Sequence, residues 1–177
     1  MSERELDSNI NDYIETETPK NYIKQLQWDM AIGLQEVDNL KPSTYLEKLL
    51  QENVTGEKTI YEVESELKRY YDDKDKTDET IQDEYECDLV STRIVQLLNE
   101  GNFELSVDYI KYIHEYLFKD IYEYAGEFRK VDITKHERIL NNDSVSYGDY
   151  NLLSQSLEYD ISLEKNKKYN EMNIVDV

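Results

Sequence analysis

The sequence predicts a mainly helical protein carrying one small β-hairpin, and three observations support that fold class. Apolar residues recur at steps of three and four, as in Tyr22, Leu26, Met30, Leu34 and Val37, or Ile110, Ile113, Leu117 and Ile121. Helix-start signals stand ahead of several such runs: Ser43, the capping-box sequence Thr59-Ile-Tyr-Glu62, and Ser106 followed by Asp108. Strand-like alternation is confined to Phe128–Thr134 and Ser144–Tyr147, on either side of Asn141-Asn142-Asp143.

Taken in order, residues 1–20 read as a loose acidic tail, because low hydrophobicity and the Thr18-Pro19 break leave little to offset ordering entropy. The first helix follows with Tyr22, Leu26, Met30, Leu34 and Val37 on one face, flanked by Ile23 and Trp28, until Asn39 and Pro42 interrupt it. Ser43 or Thr44 caps a short second helix with Leu46, Leu49 and Leu50, which ends before Thr55-Gly56. A third helix opens at Thr59 and turns Ile60, Val63, Leu67 and Tyr70 or Tyr71 inward. These three helices make a compact module over 21–72. The run Asp72–Glu79 has no apolar residue, which places a linker at 73–80 and a second domain over 81–177.

In that second part Ile81, Tyr85, Leu89, Ile94, Leu97 and Leu98 share a helix that stops near Gly101. The next helix starts after Ser106, and its stripe of isoleucines and Leu117 is widened by Tyr109, Tyr112, Tyr116 and Tyr124. That face is expected to be buried, with Gly126 as the left-handed residue that ends the helix. After the hairpin, Leu152, Leu153, Leu157 and Ile161 mark a last helix, and the final residues Met172–Val177 turn apolar again.

Composition bounds the chemistry. The 177 residues suit one domain or two small ones, and with 38% hydrophobic and 34% charged residues the core leans on leucines and the sixteen tyrosines. A formal net charge of −20 opposes nucleic-acid phosphates and anionic membranes, and no apolar run is long enough for a signal segment or a span. Neither nucleic acid nor membrane is an expected partner, and the expected location is the cytoplasm. Cys87 has no second cysteine to pair with, and the acids around it point to a raised, inert thiol. His114 and His136 lack a metal-spaced partner, and there is no glycine-rich phosphate loop and no Gly-x-Ser-x-Gly elbow. With 40 acids, pairs of carboxylates arise by chance. No catalytic residue and no metal site is assigned.

Two stretches resemble known families. Ile113–Arg129, IHEYLFKDIYEYAGEFR, resembles without gaps the helix-to-strand signature of the Fic (Fido-fold) family, whose members mostly transfer AMP from ATP to a protein hydroxyl. The resemblance continues through the hairpin and the helix after it, and implies a Fido-like helical fragment over 81–177. It implies that the hairpin is the family's flap, which holds a target segment by strand addition through Val131, Ile133, Thr134 and Lys135, with Lys135 also near the nucleotide phosphates. The family's later motif H-P-F-x-x-G-N-x-R, which supplies the general base and the phosphate-binding loop, does not occur before Val177. The chain by itself is therefore expected to be inactive and to hold no cofactor, ATP and Mg²⁺ being those of the intact family.

The second resemblance covers about Leu26–Tyr71, where WDMAIGLQEVDNLKPSTYLEKLL is similar to the small VbhA-like antitoxin domain that partners Fic toxins. In that family a helix of the form Ser/Thr-x-x-x-Glu-Gly/Asn places an inhibitory glutamate against an arginine of the catalytic motif. Here Asp38-Asn39 stands in that place, one methylene shorter, with Leu34 where Ser or Thr belongs, which implies weaker or differently registered inhibition. Without the resemblance, Asp38 and Asn39 read as a polar helix end. The implied partners are a protein substrate and a Fic domain, in the same chain or in trans. Three functions stay open: the regulatory and target-docking half of an adenylyltransferase, an antitoxin-like module acting in trans, or a non-functional remnant.

Overall fold

A computed structural model describes residues 20–75, 77–137 and 143–168, with the backbone alone at 135–137, 143 and 146. The expected tail before Lys20, the hairpin tip at Asn141-Asn142 and the apolar end Met172–Val177 lie outside the described residues. The fold is mainly helical: α1 (Lys20–Glu36), α2 (Thr44–Thr55), α3 (Ile60–Asp72), α4 (Glu79–Glu100), α5 (Val107–Phe118) and α6 (Leu153–Lys165). Strands β1 (Thr134–Glu137) and β2 (Asp143–Ser146) pair antiparallel, with Thr134 opposite Ser146 and Lys135 opposite Val145. The chain forms two compact units, Met1–Gly101 and Asn102–Val177.

The helix ends of the first unit follow from local chemistry. Ser43 accepts from the Leu46 N–H at 3.1 Å, and α2 stops at Gly56, whose φ of 87° is the left-handed conformation. Thr59 and Glu62 form a reciprocal capping box at the start of α3, which satisfies two otherwise orphaned N–H groups. Asp78 caps α4, and Gly101 ends it. Side chains of Trp28, Leu46, Leu49, Val63, Leu67, Tyr71, Leu89, Val90 and Val95 fill the core, each contributing roughly 1.5–3 kcal/mol for full burial.

The division between units lies after α4, not at the expected linker 73–80. The reason is α4 itself, which packs against α1 and α3 and is buried continuously from Cys87 to Arg93. Its buried polar groups find their partners in the preceding helices. Asp88 accepts three hydrogen bonds, from the Ser43 N–H at 2.9 Å, the Ser43 hydroxyl at 2.5 Å and the Tyr71 hydroxyl at 2.8 Å. Arg93, with no exposed side-chain area, donates to Glu64 through Nε at 3.2 Å and Nη2 at 3.1 Å, and Gln96 donates to the other Glu64 oxygen at 2.9 Å. These bonds tie α4 to α2 and α3, and truncating one partner while the other stays buried costs several kcal/mol for a charge.

α1 is turned opposite to the simplest reading of its apolar stripe. Trp28 and Ala31 face the core, and Trp28 Nε1 donates to the side chain of Asn53 at 3.0 Å. Tyr22, Ile23, Leu26, Met30, Leu34 and Val37 all face outward, and Val37 is 81% exposed. Cys87 is buried, and burial first and the Asp88 charge second push its thiol up to about 12.

In the second unit α5 ends at Phe118, eight residues before Gly126: Lys119 leaves the helical backbone (ψ 143°), left-handed Asp120 (φ 71°) follows, and the Ile121 N–H closes the turn on the Phe118 carbonyl at 3.0 Å. Its stripe is only partly covered: Ile113 and Leu117 are half-buried, Ile110, Tyr112 and Tyr124 are exposed, and Ile161 of α6 is the buried apolar side chain among the described residues of the unit. Rings along α5 meet one another at a tilt instead, the centroids of Tyr109, Tyr112 and Tyr116 lying 5.8 to 5.9 Å apart in turn. The expected strand Phe128–Thr134 begins only at Thr134, since the residues before it are held by side chains rather than by a partner strand.

Asp88 makes the stability of the first unit pH-dependent. Burial pushes its carboxyl from 3.8 up to about 6, against the three donated hydrogen bonds, which pull it back. Its proton therefore stabilises the fold below about pH 4, and that contribution is lost as the pH rises through about 6. Asp88→Asn removes this titration. Urea unfolding between pH 4 and pH 7 is expected to show the advantage of wild type over variant shrinking by on the order of 3 kcal/mol toward pH 7. A difference that stays constant with pH would contradict it.

Candidate functional site

The residues singled out by sequence fall into two groups, Asp38 and Asn39 in the first unit and Val131–Lys135 in the second. At the end of α1 the Leu40 N–H donates to the Gln35 carbonyl at 3.2 Å and the Asn39 N–H to that of Glu36 at 3.0 Å. With Asn39 left-handed at φ 64°, this is a Schellman closure, and asparagine is the side chain that tolerates that backbone best after glycine. Asn39 thus terminates the helix. Asp38 projects beside it, exposed, and its carboxylate has no hydrogen bond or ion pair among the described residues. It stands at the foot of the outward apolar stripe of α1, directly after Val37.

The second group lies on one extended segment. Val131 and Ile133, two residues apart and so on one side of the chain, are 62% and 43% exposed. Thr134 opens β1, and Lys135 pairs through its backbone with Val145. No third strand pairs with β1 or β2 among the described residues, which leaves each with an open edge of backbone donors and acceptors.

Arg129 fixes the base of this hairpin, a role that sequence reading missed. Its guanidinium donates to the Val131 carbonyl at 2.6 Å and across the hairpin to the Gly148 carbonyl, and it lies 3.4 Å from the Asp132 carboxylate. Asp132 in turn accepts from the Tyr150 N–H at 3.0 Å, and the Tyr147 N–H reaches the Ile133 carbonyl at 3.4 Å. The available signal was a lone arginine inside an alternating run that ends at two turn-forming stretches. Beside the segment is an open cleft of about 510 Å³, with Tyr124, Phe128, Val131 and Leu153 as apolar walls and Arg129 and Lys130 among its lining.

His114 also lines the cleft, and it accepts from the Gly126 N–H at 2.8 Å through Nδ1. Gly126 is required there: its φ is 78°, and a Cβ would lie 2.8 Å from Cβ of Glu115. His136 lies in β1, and its side chain is outside the described residues. In one unit these residues present an open strand edge and a pair of exposed apolar side chains; in the other, a carboxylate without a partner among the described residues stands below an apolar helix face. No protein-family model matches the chain, and searches of curated proteins and of solved structures find no significant match.

Arg129→Ala should loosen the hairpin base without unfolding the first unit. Exchange of the Tyr147 amide hydrogen is expected to quicken roughly tenfold, the value of one charged hydrogen bond of about 1.5 kcal/mol. Arg129→Lys should not restore protection, because a single ammonium cannot span both carbonyls. Unchanged exchange in both variants would remove Arg129 from the account.

Proposed function

We infer that this chain is the regulatory and target-docking part of a Fic-family protein adenylyltransferase, a system in which AMP passes from ATP to a Ser, Thr or Tyr hydroxyl of a protein. The observation that carries the reading is Asp38: an exposed, unpaired carboxylate at the end of an outward apolar helix face, in the place that the resemblance assigns to an inhibitory acid. Such a face supplies area, and the carboxylate supplies a charge-assisted, bidentate partner for an arginine. The open edge at Thr134, with exposed Val131 and Ile133, supports the target-docking half, since an extended segment can add to it as a further strand. Lys135, on the same segment, is assigned to the nucleotide phosphates on the resemblance alone.

A second reading, an antitoxin-like module that restrains a Fic domain in trans, is favoured by the compactness of the first unit, which packs its own core without the second. Both readings place Asp38 at the inhibited site and both require a complete Fic domain, with its ATP and Mg²⁺, to make the effect visible.

The test is AMP transfer by a complete Fic domain with the chain added. On its own the chain is expected to transfer no AMP, since residues 1–177 contain no H-P-F-x-x-G-N-x-R sequence. Wild type should slow the complete domain, Asp38→Ala should relieve that inhibition roughly tenfold for a pair of about 1.5–3 kcal/mol, and Asp38→Glu should keep or deepen it. Equal rates with wild type and Asp38→Ala would reduce Asp38 to a helix-end polar residue.

A further inference from the structure

We propose that two copies of this chain pair through α1, antiparallel and two-fold symmetric, with the outward face of each helix covering that of the other. The face is formed by Tyr22, Ile23, Leu26, Met30, Leu34 and Val37, each between 42% and 81% exposed. Six side chains of this size expose several hundred Å², at or above the largest patch of an ordinary monomer and near the ~800 Å² per partner of a standard interface.

Two features of α1 have no purpose within one copy. The first is Gly33, which lies in the last turn of α1 on the outward face, between Tyr22 and Leu26 around the helix. A glycine inside a helix weakens it, and here nothing lies within 4 Å of where a Cβ would stand. The chain's own packing does not need the notch, but a side chain from a second helix would fill it. The second feature is charge. Lys20 opens the helix, whereas Glu36 ends it and Asp38 follows, the reverse of what the helix macrodipole favours.

An antiparallel second copy answers both in a single register. Lys20 and Asp38 are five turns apart, so they lie on the same edge of the helix at opposite ends. With the two-fold axis at Asp29–Met30, Lys20 comes beside Asp38 of the second copy, Tyr22 beside its Val37, and Leu26 over its Gly33. Each pairing occurs twice, as an isologous interface requires. The charge pair and the glycine notch thus share one centre to within half a residue. Met30 meets its own symmetry mate there. Asp29 also comes near its mate, but at the exposed rim, where the Gln25 side chain donates to it at 2.8 Å. The chain's net charge of −20 opposes approach at long range, and screening at about 0.15 M salt confines that repulsion to about 8 Å. The pairing goes beyond the functional reading, and it takes Asp38 out of reach of any Fic domain, so paired chains should not restrain one.

Sedimentation equilibrium of the full chain, with no Fic domain present, tests this independently of the functional assay. A reversible monomer–dimer equilibrium is expected at about 0.15 M salt. Met30→Glu, on an exposed position that leaves the core untouched, should abolish it while circular dichroism stays unchanged. Lys20→Glu alone and Asp38→Lys alone should each weaken the dimer severalfold, and the double swap should restore it, because in an antiparallel pair these residues face each other. A chain that stays monomeric at every accessible concentration overturns the proposal. So does a dimer that survives Met30→Glu, or one in which the double swap gives no rescue.

Discussion

Asp88 is the constraint on which the first unit depends. Its carboxylate sits in the interior and holds its three donors on two other elements: the residue that begins α2 and a tyrosine near the end of α3. Ser43 both donates to Asp88 and caps α2, so the position of α4 and the start of α2 are fixed by the same hydroxyl. One helix turn and a half along α4, Arg93 does for Glu64 what Asp88 does for Ser43. Buried charges of this kind add little net stability, but they are costly to misplace, so they select one arrangement of α2, α3 and α4 among those an apolar core alone would tolerate.

α1 enters this frame by packing along α4 and against α2. Trp28 fills the space above Asn53, whose amide in turn donates to the Lys58 carbonyl at 3.0 Å, and Lys24 reaches the Asn53 carbonyl at 2.8 Å. Trp28 and Ala31 are the fully buried residues of α1, and the polar contacts around Asn53 tie the helix to α2. The broader apolar face is left over. α1 thus turns its larger hydrophobic surface outward and ends it on Asp38, whose carboxylate has no partner among the described residues. The second unit is built on a different plan, with tilted ring contacts along α5 and a hairpin whose base is tied by one guanidinium.

Much of the fold was legible because helix ends are local. Ser43, Thr59 with Glu62, Gly56 and Gly101 act within a few residues, and all stand where their side-chain chemistry or backbone freedom demands. The misreadings have non-local causes. Asp88, Ser91, Thr92, Arg93 and Gln96 look like a solvated face, and only the positions of Ser43, Glu64 and Tyr71 in space show that they are an interior. The stripe of α1 has the periodicity of a core face, and nothing in its period tells that the narrower Trp28 side wins. Gly126 resembles a helix stop, whereas the Lys119-Asp120 turn ends α5 first and the glycine serves the close approach of Glu115. Of the two candidate sites, the helix end at Asn39 was readable from residue type. The hairpin base was not, since Arg129 acts across nineteen residues of chain.

The account turns on which face of α1 is inside, and Trp28, the one tryptophan of the chain, reports that directly. Its fluorescence in the native protein, excited selectively and challenged with iodide, should be blue-shifted and almost unquenched, because the ring is 0% exposed. Unfolding in urea should shift the emission to the red and open it to the quencher. A native emission already red-shifted and quenched would mean that α1 buries Tyr22, Leu26, Met30 and Leu34 instead, and the outward face, the role of Asp38 and the pairing of two copies would fall together.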